Sequence, residues 1–249
     1  MEYFYELFCG LPRGGPGDTR STRKAFGYLK NLPPEPCILD IGCGHGMQTT
    51  ELAKLSKGTI IALDTYQPFL DILLKNAIKD GVEKRIILKN QSMLEMDFEN
   101  ETFDIIWSEG ALYFMGFQNG LKKCHELLKK NGYLVVTEAV FLQPSIPKPL
   151  QQFWDEVWEE GYPDIKDVTS NIALIRNEGF GLLDHFTLPK SSWIDAYYVP
   201  MQKSINELKK KYHDNATALR VFATCEKEIM IYNTYSDYFG YEFFIMQKR

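Results

Sequence analysis

Cysteine is scarce and scattered in this chain. Its five cysteines, Cys9, Cys37, Cys43, Cys124 and Cys225, are odd in number and form no Cys-x-x-Cys pair. That pattern excludes a paired disulfide framework and a cysteine zinc site, and it fits a reducing compartment. None of the four histidines has ligand spacing to another, so no metal centre is expected. Basic charge is in deficit: 28 Lys and Arg stand against 33 Asp and Glu, a net charge of −5. A nucleic-acid surface needs a positive excess, so no nucleic-acid partner is expected. Long apolar runs are missing as well, and none approaches the ~18 residues of a membrane span. The opening Met1-Glu2-Tyr3-Phe4-Tyr5-Glu6 carries acids where a secretion signal would carry Lys or Arg, so a cytoplasmic location is expected. Repeats and low-complexity tracts are absent too.

What is present is organised around one stretch. Cys37-Ile38-Leu39-Asp40-Ile41 reads as a buried strand; glycine then recurs at every second position, Gly42, Gly44 and Gly46, and a helical pattern begins at Met47. Glycines at such a turn let a ligand approach the backbone where a Cβ would collide, and the helix start offers free N–H groups to anionic oxygens. A dinucleotide fingerprint spaces its glycines Gly-x-Gly-x-x-Gly; here the third comes one residue early.

Downstream, strands and amphipathic helices alternate. A helix over 47–57 leads to the strand Gly58–Asp64, whose terminal acid lies where a ribose hydroxyl pair meets the neighbouring strand end. A helix over 66–80, a strand over 85–89, the strand Phe103–Trp107 with its loop to Tyr113, a helix over 117–130 and a strand over 133–140 follow. Such alternation from 37 to 140 is the mark of a doubly wound parallel sheet. Before it, residues 1–31 form an arm rich in aromatics, broken by Gly10–Asp18, and a capped helix; the arm either packs on the flank or folds over the ligand mouth as a lid. After it, Phe153, Trp154, Val157 and Trp158 fall at helical spacing, a helix over 168–178 follows, and strands are expected at 181–188 and 241–246. The tyrosine-rich 190–235 between those strands reads as a helical insertion and substrate cap. One domain, 1–249, holds all of these.

With the glycine turn, the strand ending at Asp64, the Phe-Asp-Ile-Ile-Trp strand and the Asn131-Gly132-Tyr133-Leu134 turn in order, residues 37–140 resemble the class I S-adenosylmethionine (SAM) dependent methyltransferases. The branch they resemble includes ubiquinone- and menaquinone-biosynthesis enzymes. The resemblance implies a mostly parallel seven-stranded sheet with an antiparallel last strand and a helical cap. It also implies SAM as cofactor, met by Asp40, Gly42, Cys43, Gly44, Gly46, Gln48, Asp64, Thr65, Ser92, Met93, Ser108 and Glu109. One position departs from the pattern. The family commonly has an acid for the adenine amino group where this chain has Ser92, an uncharged acceptor.

Methyl transfer from a sulfonium asks the protein chiefly to align donor and acceptor and to exclude water. A base is needed only if the acceptor must lose a proton, and Glu109 is then the first candidate by position. Tyr113, Glu138, Trp193 and Tyr197 are candidate contacts to a small-molecule acceptor; for Glu138, inside a strand, a bulge or internal hydrogen bond is the competing reading. His45 lies in the glycine turn, in reach of the donor carboxylate. A nucleic-acid methyltransferase would carry an Asn- or Asp-Pro-Pro-aromatic loop after the fourth strand, and this loop is Ser108-Glu109-Gly110-Ala111. The remaining alternatives are an NAD-dependent oxidoreductase and a SAM-binding sensor or partner subunit without catalysis.

Overall fold

The structure, a computed structural model, describes residues 2–159 and 165–249, with only the backbone for 157–159. The side chains of Val157 and Trp158, expected on an apolar stripe, therefore lie outside the described residues. Five strands come first: β1 (Cys37–Ile41), β2 (Thr59–Asp64), β3 (Ile86–Asn90), β4 (Phe103–Glu109) and β5 (Leu128–Phe141). Then come the two-residue β6 (Lys166–Asp167), β7 (Phe180–Thr187) and β8 (Phe239–Lys248). They form one sheet in the order β3-β2-β1-β4-β5-β8-β7, with β6 paired to β5. The seven-strand path is the one expected. The eighth member pairs Val140 and Phe141 with Lys166 and Asp167, on the β5 edge that β8 leaves free.

β8 is antiparallel to both neighbours, running from Tyr133↔Gln247 to Phe141↔Phe239 along β5 and from Phe180↔Lys248 to Thr187↔Glu242 along β7. Its Phe243-Phe244-Ile245-Met246 run is wholly buried because both faces of the sheet are covered.

The helices are α1 (Glu2–Cys9), α2 (Thr19–Phe26), α3 (Met47–Leu55), α4 (Gln67–Asp80), α5 (Phe117–Leu127), α6 (Lys148–Glu159) and α7 (Val168–Asn177). α8 (Lys190–Trp193), a π-turn at Ile194–Tyr198, α9 (Val199–Lys211) and α10 (Ala216–Tyr235) complete the set. Alternation along the strands sorts the core into two layers. Ile38, Trp107 and Val135 face α2, α3 and α4. Leu39, Ile106, Leu134 and Phe244 face α5 and α7. A third cluster joins Leu7, Phe8 and Leu11 of the arm to Trp193, Tyr197, Met201 and Phe222, and to Phe239 at the start of β8.

Helix ends differ from the periodicity at two places. α2 stops at Phe26, short of Asn31, and α5 stops at Leu127, short of Lys130. In the second case Leu128 is drawn into register opposite Phe103, and Asn131 takes a left-handed conformation (φ 62°) that returns the chain into β5. The π-turn also has a local cause. Pro200 has no N–H to give the carbonyl four residues back, so the helix widens and buries the adjacent Tyr197 and Tyr198 together.

Candidate functional site

The glycine turn sits where β1 meets α3, between the carboxyl ends of β2 and β4. Its shape depends on backbone that only glycine adopts easily: Gly42, Gly44 and Gly46 have φ of 69°, 51° and 76°. A Cβ on Gly42 would lie 2.3 Å from Ala111 Cβ in the loop after β4, with Met93 also in contact. A Cβ on Gly46 would strike Leu73 of α4 at 2.1 Å. The same atom on Gly44 would meet nothing within 4 Å, so this middle position is the open side of the turn.

The turn is braced from beneath. Leu63 O accepts from both Gly42 N (2.8 Å) and Cys43 N (3.0 Å), while the Cys43 side chain is buried in the core beside α3 and α4. Fully buried Asp40 accepts Thr49 Oγ1 at 2.5 Å and Gln48 Nε2 at 3.4 Å, tying β1 to the first turn of α3. Burial pushes its carboxyl up to about 7, against the hydrogen bond from Thr49. Ser108 is equally internal, giving its hydroxyl to Ile41 O at 3.0 Å.

Asp64 stands at the end of β2 beside the turn. One carboxylate oxygen accepts Gly44 N and the other Tyr66 N, each at 2.9 Å. Both bonds come from backbone, so the carboxylate is fixed while lone pairs remain for a ligand. Burial raises its pKa, opposed by the N–H bonds from Tyr66, Gly44 and Thr65. Exposed Thr65 follows it, and Ser92 caps the short turn at Met93–Glu95 by accepting Leu94 N at 3.2 Å.

The surprise is Arg13. It enters from the arm with its side chain 6% exposed and pairs with Glu109 Oε2 at 2.8 Å, where the Glu109 side chain is 1% exposed. The other Glu109 oxygen accepts Thr22 Oγ1 at 2.8 Å and Trp107 Nε1 at 3.0 Å. Both carboxylate oxygens are thus engaged. Sequence spacing could not pair residues 96 apart; the available signal was a lone Arg inside the Pro12-Arg13-Gly14-Gly15 break. Arg13 Nε and both ring nitrogens of His45 are buried beside the turn without a protein partner. Burial and the Arg13 charge hold His45 down at about 4, so it is neutral at ordinary pH. These orphaned polar atoms, an open glycine and a fixed acid at the next strand end fit the amino-acid end and ribose of SAM.

Above the carboxyl ends of β4 and β5 lies a buried cluster of aromatics. Trp193 stacks on Tyr232 (4.5 Å, 12°) and meets Tyr241 edge-on at 4.8 Å; Tyr241 in turn covers Gly110. Buried Tyr197 lies beside Tyr198, whose hydroxyl donates to Glu228 at 2.9 Å, and Tyr113 lies half-buried in the short turn Leu112–Met115 after β4. The arm closes one flank. Tyr5 stacks on Tyr66 at 3.9 Å, Gly17 N bonds to Ser192 O at 3.2 Å, and Asp18 bonds to the Ser192 hydroxyl. It does pack down, and it also crosses the mouth beside the turn. Trp193 and Tyr197 are therefore brought into one cluster, whereas Glu138 faces the opposite layer, toward α5 and α7.

A family model described as a methyltransferase domain matches residues 38–132. Residues 38–132 are thus a methyltransferase domain, on a sheet of the class I, SAM-dependent kind. It is 24% identical over 253 residues to the uncharacterized methyltransferase YodH of Bacillus subtilis, covering all of both chains. It is 26% identical over 141 residues to demethylmenaquinone methyltransferase of Lactiplantibacillus plantarum, 55% of this chain and 60% of that one. The fold matches a SAM-dependent methyltransferase from Geobacter sulfurreducens in complex with S-adenosyl-L-homocysteine, with TM-score 0.86, 17% identity and coverage of 100% and 98%. The chain spans about half the length of the first curated relatives it matches. SAM is the cofactor of this domain type, and among the described residues no helix is long and apolar enough to cross a membrane.

Proposed function

We propose that the chain transfers a methyl group from SAM to a small, partly apolar acceptor held beneath helices α8–α10 and the arm. The observation that carries this reading is position. Trp193 shares one aromatic cluster with Tyr197 and meets Tyr241, which covers Gly110 at the end of β4, and an open α/β sheet holds its ligands at such strand ends. When bound, SAM supplies a methyl group on a sulfonium, already activated for in-line displacement.

The chain's own work is then to hold and to exclude. Asp64 takes the ribose hydroxyls, Arg13 and His45 face the amino-acid end, and Met93 with exposed Leu94 flanks the adenine beside Ser92. Gly44 admits the cofactor to the backbone, while Gly42 and Gly46 let Ala111 and Leu73 pack close; Asp40, Gln48, Cys43 and Ser108 keep the turn in shape from behind. Glu109 acts by position: with both oxygens engaged by Arg13, Thr22 and Trp107, it latches the arm over the mouth and keeps water out. As a proton acceptor it would first have to release that latch. The aromatic walls suit a ring-shaped or apolar acceptor and exclude a macromolecule.

Incubation with labelled SAM and a metabolite extract, read by mass analysis, tests the activity; a methylated small molecule is expected. No product, together with SAM binding intact, would favour the sensor reading.

A further inference from the structure

On the sheet face toward α5 and α7, away from the aromatic cluster, a cavity of about 200 Å³ lies between β5, the start of α5 and α7. Two buried polar atoms lining it have no protein partner, Glu138 Oε2 and Asn171 Nδ2; the residues are 7% and 2% exposed. Unmet polar atoms this deep are uncommon and ask for an occupant. The neighbouring carboxylate shows the contrast. Glu242, opposite Glu138 in register on β8, has a partner on each oxygen, His185 Nδ1 and Thr187 Oγ1 of β7, both at 2.6 Å. Phe117, Gln118 and Asn119 of the first turn of α5 also line the cavity, and Gly116 supplies no side-chain cap for their N–H groups.

We propose that this cavity binds a small organic carboxylate, held by Asn171, Glu138 and the first turn of α5. Its lining is a set of donors. Asn171 offers an amide N–H and the helix start offers backbone N–H groups with a favourable dipole. Lys166 of β6 adds positive charge at the wall. Burial pushes Glu138 up to about 8, against the Ala139 N–H it accepts, so near neutrality it carries a proton and donates as well. The volume equals about six or seven waters at ~30 Å³ each, room for a carboxylate of roughly three to five carbons. The wall at Gly116–Asn119 continues from the loop that sets Ala111 against Gly42, so this site and the cofactor crevice share one loop. The proposal stands independently of the methyl-transfer reading.

Calorimetry on the whole chain tests it, with malonate, succinate and L-malate as carboxylate probes, inorganic phosphate as the mineral anion, and putrescine as the cation. At least one carboxylate should bind one-to-one, with affinity falling about tenfold per pH unit above about 8 as Glu138 loses its proton. Glu138→Gln should keep the binding and lose the pH dependence, because the amide still donates. Asn171→Asp, close in shape, should weaken it about tenfold or more by setting a negative charge where a donor stood. His185→Gln should leave the pH profile unchanged. No binding by any carboxylate at about 10 mM, or equal binding by Asn171→Asp, overturns the site. Putrescine binding that strengthens with pH, or phosphate preferred over every carboxylate, overturns the ligand class. Crystals soaked in the probes that show only ordered water in the cavity would also overturn it.

Discussion

The two halves of the crevice are built from different materials. The proposed donor half is backbone: three glycines with positive φ, an acid oriented by two N–H groups, and the Leu63 carbonyl that locks the turn to β2. The proposed acceptor half is side chains, aromatic rings drawn from the arm, β8 and residues 190–235, stacked on one another. Backbone can be specified by a seven-residue run; a wall of rings takes its shape from distant pieces. The donor half should therefore fail sharply under single changes, and the acceptor half should adapt.

The largest loss is expected where the halves are joined. Arg13→Met leaves the Glu109 charge buried with only Thr22 and Trp107, which should cost ~3–5 kcal/mol in urea unfolding. The double variant Arg13→Met/Glu109→Gln should recover much of that, and equal losses in the single and double variants would show that the pair does not hold the arm.

Next comes Gly42→Ala, whose Cβ would meet Ala111 at 2.3 Å from a left-handed backbone. A loss of roughly 2–4 kcal/mol and of SAM binding is expected. Normal SAM affinity would mean the loop after β4 yields freely.

Asp64→Asn keeps an acceptor for Gly44 N but removes the charge, so SAM affinity by calorimetry should fall one to two decades, roughly 1.5–3 kcal/mol. An unchanged dissociation constant would reduce Asp64 to a brace of the turn.

A smaller effect should appear with pH. Asp40 and Glu138 hold protons in the folded chain where the unfolded chain has lost them, since burial raises them to about 7 and about 8. Their contribution to stability is complete below about pH 4 and is lost as pH rises through those values. His45 works oppositely, losing its contribution as pH falls from about 6.5 toward about 4. The melting temperature without ligand should thus decline toward alkaline pH, and Asp40→Asn should flatten that decline. A profile unaffected by the substitution would place the titration elsewhere.

Smallest for the cofactor is Tyr197→Ala: SAM affinity should stay within a factor of about two while acceptor KM rises or turnover falls. A large loss of SAM binding would merge the halves that the comparison separates.

How much of this could be read in the chain follows the same division. The strands from 37 to 140, the glycine turn and Asp64 were legible because strained backbone and buried parallel strands demand particular residue types. The antiparallel strand between β5 and β7 was implied by the family resemblance, and the two strand-like runs at 181–188 and 241–246 were its candidates. The arm left two readings open, because its outcome depended on Tyr66 and Ser192, far off in sequence. Glu109 was found by position, but its partners were not. Glu138 was grouped with the aromatics because both lie near the carboxyl end of β5; only strand alternation in three dimensions sends it to the other layer.

The placement of β8 sets an order of events for the nascent chain. β5 sits between β4 and β8, yet β8 begins at Phe239, almost a hundred residues after β5 ends at Phe141. Until that late segment is made, β5 presents an open edge of Leu134, Val135 and Val136, all destined for complete burial. The sheet is closed from the far end of the chain, and contacts of such long sequence separation form slowly. Synthesis that stalls before Phe239 would leave a sticky half-sheet, with the glycine turn already made and nothing yet to cover the strand beside it.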